Sequence, residues 1–293
     1  MAQISALVAG ELDEPVAPAV TRLASAVAAR HGKASQAVLF YGSCLRSGEF
    51  AGQMLDFYLI VDDYARAYDR RWLAMANRLL PPNVFPIESD GLAAKYAVLS
   101  MADFRRLASS QTLNVSVWAR FAQPSRLVWR RDAASAAEVV TAVAGAAPAL
   151  LAAAGSPPSG EHDPLQWWRR AFSLTYGAEL RAERNNRATS IVDLDPDRYR
   201  RFTPAVVEAL GGQGALADRA TGSWPLRRLQ GKTLSVLRLA KAAGTFAGGI
   251  DYLAWKINRH AGTRITIKDW QRRHPLLGAL TLLPRLLRSG AIR

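Results

Sequence analysis

One cysteine, Cys44, in 293 residues excludes an internal disulfide and suits a reducing compartment. Acids are few: 24 Asp and Glu stand against 38 Lys and Arg, a formal net charge of +14. That excess calls for an anionic partner, whether nucleic acid, nucleotide or acidic membrane surface. No uninterrupted apolar run reaches the roughly 20 residues of a spanning helix. "VVTAVAGAAPALLAAAG" is broken by Pro148, and "PLLGALTLLPRLL" is short and broken by Pro284. The chain is therefore expected to lie on a membrane at most, not to cross one. "MAQISALVAGELDEP" has no basic start and no sustained apolar core, so no secretory signal is expected. The four histidines, His31, His162, His260 and His274, form no metal-ligand spacing.

What is present is enough for a core. Hydrophobic content of 49% and charged content of 21% fit a folded chain of one large or two ordinary domains. Apolar spacing predicts a helix over 17–31, ended by Gly32. "QAVLFYG" and "MLDFYLIVDD" read as strands, Tyr64 to about Leu80 as a helix stopped by Pro81-Pro82. "NVFPIES" and "LAAKYAVLS" read as a hairpin across Ser89–Gly91, followed by a short helix from Met101 and a last strand, "SRLVWR". An alanine-rich helix begins near Ala133. "GSPPSGEHDP" is the clearest linker, and almost everything after it reads helical. The boundaries expected are an α/β domain at 1–150, a helical domain at 160–247 and a basic amphipathic segment at 248–293.

Gly42-Ser43 closes the first strand, and about a dozen residues later Asp56 enters an apolar strand. This spacing marks the polymerase-beta-like nucleotidyltransferase fold. Glycine lets backbone approach a triphosphate, serine and nearby N–H groups bind phosphate oxygens, and the strand acid holds Mg²⁺. A surface turn beside one exposed carboxylate accounts for the same residues. The second acid of the pattern is replaced by Tyr58. Asp62 lies six residues on, roughly 20 Å along a strand, so Glu88 on a neighbouring strand is the better metal co-ligand. Lys95, in a strand, must face either solvent or a ligand.

The longer stretches resemble the mitochondrial translocator assembly and maintenance family of CDP-diacylglycerol synthases. "YGS" followed by "LDFYLIVDD" is similar to its tyrosine-Gly-Ser turn and its Leu-Asp-Phe strand leading to Val-Asp-Asp, with a hydrophobic residue at the position of Tyr58. "KYAVLS", "VWARFAQPSRLV", "LTYGAELRAERNNRATSIV" and "LRLAKAAGTFAGGIDYLAWKI" resemble further segments of that family, in order, over about residues 37–260. The resemblance implies a phosphatidate cytidylyltransferase: CTP and phosphatidic acid give CDP-diacylglycerol and pyrophosphate. It implies a nucleotidyltransferase domain joined to a mostly helical, winged-helix-like one, with the site between them. Gly42, Ser43, Lys95, Arg238 and Lys241 would bind the nucleotide; Asp56, Lys95 and Arg181 would be catalytic; Asp56 and Glu88 would hold Mg²⁺. Arg181, Arg184 and Arg187 also fit a solvated helix bridged by Glu179 and Glu183. The enzyme would be cytoplasmic and peripheral on the inner face of a membrane, with no nucleic acid expected as partner.

Residues 223–293 hold four lysines and ten arginines against only Asp251 and Asp269, nearly the whole charge excess. "GGIDYLAWKINRHAG" puts Ile250, Leu253, Ala254 and Ile257 on one stripe, which suits a helix lying on anionic lipid. A helix packed on its own domain, or an RNA-binding face, fits the same composition. The rival functions are a nucleotidyltransferase acting on RNA or a small molecule, and a non-enzymatic membrane or nucleic-acid adaptor with a degenerate site.

Overall fold

The structure, a computed structural model, describes residues 1–155, 163–178, 191–211, 223–245 and 266–273. Helices α1 (Ala2–Leu12) and α2 (Pro18–Ala29) precede β1 (Ser35–Tyr41), the short α3 (Ser43–Ser47) and β2 (Met54–Val61). Helices α4 (Tyr64–Ala67) and α5 (Arg71–Leu79) lead to β3 (Asn83–Ser89), β4 (Leu92–Ser100), α6 (Met101–Leu107), α7 (Trp118–Phe121) and β5 (Ser125–Arg130). The remainder is helical: α8 (Ala133–Ala144), α9 (Ala146–Ala154), α10 (Pro164–Tyr176), α11 (Pro196–Ala209), α12 (Trp224–Thr245) and α13 (Asp269–Arg273).

The five strands form one mixed sheet in the order β3-β4-β2-β1-β5, with only β2 and β4 parallel. The central strands are apolar on both faces because both faces are covered. Val38, Phe40, Phe57, Leu59, Tyr96 and Val98 pack against α2, α4 and α5. Leu39, Tyr58, Ile60, Ala97 and Leu99 pack on the other face, against α1 and the helices from α6 to α11. Where a charged residue interrupts these strands, at Asp56 and Lys95, it stands on this second face. The chain is thus a mixed α/β protein with a five-stranded sheet and many helices.

The helical stretch begins where local chemistry dictates. Asp163 caps α10 by accepting from Leu165 N at 3.0 Å, and Asp195 caps α11 by accepting from Arg198 N at 3.1 Å. A proline follows each cap at the first helical position, where a missing N–H costs nothing. The linker reading of Gly155–Pro164 therefore ends in a helix start. It does not separate two cores either: one hydrophobic cluster runs from Ile4 through Leu150 to Trp168, Phe172, Tyr199 and Phe202. Trp167 Nε1 donates to the Gly155 carbonyl at 2.8 Å, and Trp224 Nε1 to that of Ala153 at 2.8 Å.

Three sequence expectations change. Helix α1 went unread. The helix read from Tyr64 to Leu80 breaks at Tyr68, which turns to extended backbone, so that Asn77 can bond Tyr68 Oη and the Val98 carbonyl, each at 3.0 Å. Pro148 does not break the alanine-rich stretch, because it falls in the first turn of α9. Ala133–Ala154 is in consequence long and apolar enough to cross a membrane by length and composition, and 56% of its apolar window is buried inside the fold.

His31 is a packing residue. Its Nδ1 donates to the Ala67 carbonyl at 2.8 Å, which leaves Nε2 to accept from Tyr96 Oη at 3.2 Å. A second tie crosses the molecule: Arg198, from α11, donates in fork fashion to both carboxylate oxygens of Glu11 in α1 and to the Ala122 carbonyl at 3.0 Å. The pair is 3% and 6% exposed, so neither charge has water as a substitute partner. Arg198→Met is expected to cost about 3–5 kcal/mol by stranding Glu11, and adding Glu11→Leu to recover most of that. Urea unfolding of the two variants checks it.

Candidate active site

After Tyr41 the backbone turns at Gly42 through φ 95°, ψ −162°, a region that side chains larger than hydrogen avoid. Glycine is required there twice over, since a Cβ would stand 2.9 Å from Asp56 Oδ2. Ser43 follows, exposed, opening α3. Cys44 beneath it is buried, with Sγ 3.6 Å from the Met54 carbonyl, and burial pushes its thiol up. It packs; it is not a nucleophile.

The strand registers then align a row of side chains across the second face of the sheet. Tyr41 lies opposite Asp56, Asp56 opposite Lys95, and Lys95 opposite Pro86. Lys95 Nζ meets Asp56 Oδ1 at 2.9 Å. The row one pleat behind is Leu39, Tyr58, Ala97 and Val84. Tyr58 is 3% exposed, and its ring packs 5.3 Å from that of Tyr41 and 5.2 Å from that of Phe121. The residue in place of a second acid is therefore part of the wall.

Over these two rows lies a cavity of about 180 Å³, lined by Tyr41, Tyr58, Lys95, Ser116, Arg120, Arg238 and Lys241 among others. Arg120 donates to the Ser116 carbonyl and hydrogen-bonds Tyr41. Burial, then Asp56 and Tyr58, hold the Tyr41 phenol well above its ordinary range. Arg238 and Lys241 come from α12 and reach the rim: Arg238 Nε donates to the Pro81 carbonyl at 2.9 Å and Nη1 to Ser116 Oγ at 3.2 Å. Lys241 Nζ donates to the carbonyls of Leu80 and of Pro82, the latter at 2.8 Å. Burial first, and the Arg238 charge second, push Lys241 down to about 7. Helix α12 is held close by Gly231, where a Cβ would fall 2.1 Å from the Ala178 carbonyl. Lys95, Arg120, Arg238 and Lys241 thus line one cavity, and Asp56 adjoins it through its pair with Lys95. Such an enclosure attracts a compact polyanion.

Of the residues picked from the sequence, Gly42, Asp56, Lys95, Arg238 and Lys241 come together here. Glu88 does not. It is exposed on the edge strand opposite Ala93, two strands from Asp56 and one pleat off its row. Asp62 pairs with Arg66 at 2.5 Å. Arg181, Arg184 and Arg187 lie outside the described residues, as does the 248–265 stretch. Ser116 and Arg120 were assigned no role beforehand; the available signal was an arginine inside the apolar run around Phe121, which must find acceptors or a ligand. Among the described residues no group of three His, Cys, Asp or Glu could hold a metal. The donor set fits one Mg²⁺ held by a single carboxylate together with substrate phosphates, not a caged ion.

No family model matches the chain, and no curated protein matches it. Neither comparison supports the resemblance of the motif patches to lipid cytidylyltransferases. Among solved structures, a nucleotidyltransferase-like protein from Exiguobacterium sibiricum 255-15 is similar over 92% of each chain, at 12% identity and a TM-score of 0.28. A likeness that slight carries no argument.

Two outcomes follow from the geometry. Gly42→Ala is expected to cost about 1–3 kcal/mol in backbone strain and to displace Asp56, measured by thermal unfolding and by loss of polyphosphate binding. Tripolyphosphate affinity is expected to fall as pH rises through about 7, where Lys241 loses its proton, and Lys241→Gln to flatten that dependence in calorimetric titrations.

Proposed function

We propose that the chain is a nucleotidyltransferase whose acceptor is a phosphate monoester, with CTP and phosphatidic acid as substrates and CDP-diacylglycerol and pyrophosphate as products. One observation carries the reading: the Gly42 turn pressed against Asp56, in one row with Lys95, beneath Arg120, Arg238 and Lys241. Base and acceptor come from the motif resemblance alone.

The roles follow from position. The Gly42–Ser43 backbone and the Ser43 hydroxyl would bind triphosphate oxygens. Lys95, with Arg238 and Lys241, would neutralise the charge that grows on pyrophosphate as it leaves. Asp56 would hold Mg²⁺, which supplies charge neutralisation of the phosphates when bound. The acceptor needs no general base among the described residues, because its phosphate oxygen is already anionic. That oxygen attacks the α-phosphorus as the bond to pyrophosphate breaks. The cations make this approach of two anions affordable in energy. The enzyme would act at a membrane surface, where its acceptor resides.

Tyr58 favours a second reading, a polyphosphate-binding site without turnover, since it leaves Asp56 as the lone acid. Incubation with labelled CTP, Mg²⁺ and phosphatidic acid separates the two. A labelled lipid is expected, and Asp56→Asn is expected to lower its formation by about 10²-fold or more without loss of thermal stability. Tight CTP binding with no labelled lipid would establish the second reading instead.

A further inference from the structure

Helix α12 is built inside out. Its inner stripe carries cations: Arg227 donates to the carbonyls of Thr112 and Leu113 at 3.1 and 2.9 Å, and Arg238 and Lys241 grip the 80–82 backbone. Its outer stripe carries Leu226, Leu229 and Leu237, at 54%, 68% and 48% exposure. Helix α5 repeats the pattern. Ala74 and Asn77 anchor its inner face, while Trp72, Met75 and Leu79 stand outward at spacings of three and four. Six of the nine exposed large hydrophobic residues among the described residues lie on these two helices. The helices meet at Leu80–Pro82, the segment that follows α5, receives Arg238 and Lys241 and rims the cavity.

We infer that the outward faces of α5 and α12 form a docking surface for an anionic bilayer, which sets the cavity mouth at the lipid headgroups. This rests on the reading of the acceptor as a lipid. The charge around the apolar stripes selects the occupant. Arg70 and Arg71 flank the α5 stripe, beside Arg78, which pairs with Asp63 at 3.1 Å, and Arg228 and Lys232 flank that of α12; all five are exposed. No acid sits in the first turn of α5, where Arg70 and Arg71 stand at the positive end of the helix dipole. That arrangement favours anions beside the helix start. Trp, Met and Leu side chains between arginines and lysines are what an interface-lying helix presents to headgroup and acyl chain. These residues differ from the C-terminal 248–293, to which the sequence reading gave the same task.

The test is flotation of the full chain with phosphatidylcholine vesicles containing phosphatidic acid, against phosphatidylcholine alone. Two triple variants are compared with the unaltered chain: Trp72→Ser with Met75→Ser and Leu79→Ser, and Leu226→Ser with Leu229→Ser and Leu237→Ser. The unaltered chain is expected to float with the anionic vesicles, and each variant to lose about tenfold or more in partition at an unchanged melting temperature. Transfer to a water-soluble, short-chain phosphatidic acid is expected to persist in both variants. Undiminished flotation of the variants overturns the inference, as does failure of the unaltered chain to float. A lowered melting temperature would assign the stripes to contacts within the chain, and a dimer split by the variants would assign them to a second copy; either result overturns it. If flotation falls as expected while no form transfers a nucleotide, the docking surface stands and the proposed reaction fails.

Discussion

The arrangement of this protein depends on where α12 places its cations. Arg227, Arg238 and Lys241 donate to backbone carbonyls of 112–113 and 80–82. A carbonyl satisfies an ammonium or guanidinium donor but cancels none of its charge. The seam is thus hydrogen-bonded and still positive, and the potential it creates is directed into the cavity over β2 and β4. Burying three cations this way costs desolvation, seen in Lys241 and Arg227, both of which burial pushes down. On the proposed reading, an anion in the cavity beside Arg238 and Lys241 would offset part of that cost.

The same helix has to be positioned accurately for this to work. Gly231 costs α12 about 1 kcal/mol of helix propensity against alanine, and in return the helix closes onto the Ala178 carbonyl. Trp224 ties the start of the helix to α9, and α9 shares a core with the sheet. The Glu11–Arg198 fork joins α1 to α11 across that core. The helical region is consequently a structural wall of the candidate site, not an appended module. One hydrophobic cluster contains residues from both sides of the Gly155–Pro164 segment.

Much of the sheet could be read in the chain because both its signals are local. β-branched and aromatic runs are bounded by Gly42, by Pro81-Pro82 before β3 and by Asp90-Gly91, and a lysine or aspartate inside such a run stands out at once. The pairing of Asp56 with Lys95 needed the β2–β4 register, which is parallel and long-range, so no local pattern encodes it. Glu88 shows the limit. Alternation puts it on the same face as Lys95, but alternation says nothing of lateral distance, and β3 proves to be the edge strand. The break at Tyr68 was invisible for a related reason: the hydrogen bonds of Asn77 that require it come from β4 and from Tyr68 itself. Helix α1 lacks turn signals at either end and buries only one stripe, so its apolar content read as featureless.

Lys95 pairs with Asp56 and in the same geometry lines the cavity. At 2.9 Å from Asp56 its ammonium directs one donor at the carboxylate, with the Asp56 side chain 19% and its own 30% exposed. An ammonium carries three donors, so the same group can also be offered to a ligand in the cavity that Lys95 lines. A polyanion entering beneath Arg238 and Lys241 competes with Asp56 for this lysine, and the competition is electrostatic, so it favours the ligand with more charge. As Lys95 turns toward phosphate, Asp56 loses the cation that balances it and becomes the strongest unpaired negative group in the site. That carboxylate lies close to the Gly42 turn, where a Cβ would stand 2.9 Å from Oδ2. Anion entry on one side of the pair therefore creates demand for a cation on the other. On the proposed reading, that coupling would let Asp56 take up a metal together with the phosphates.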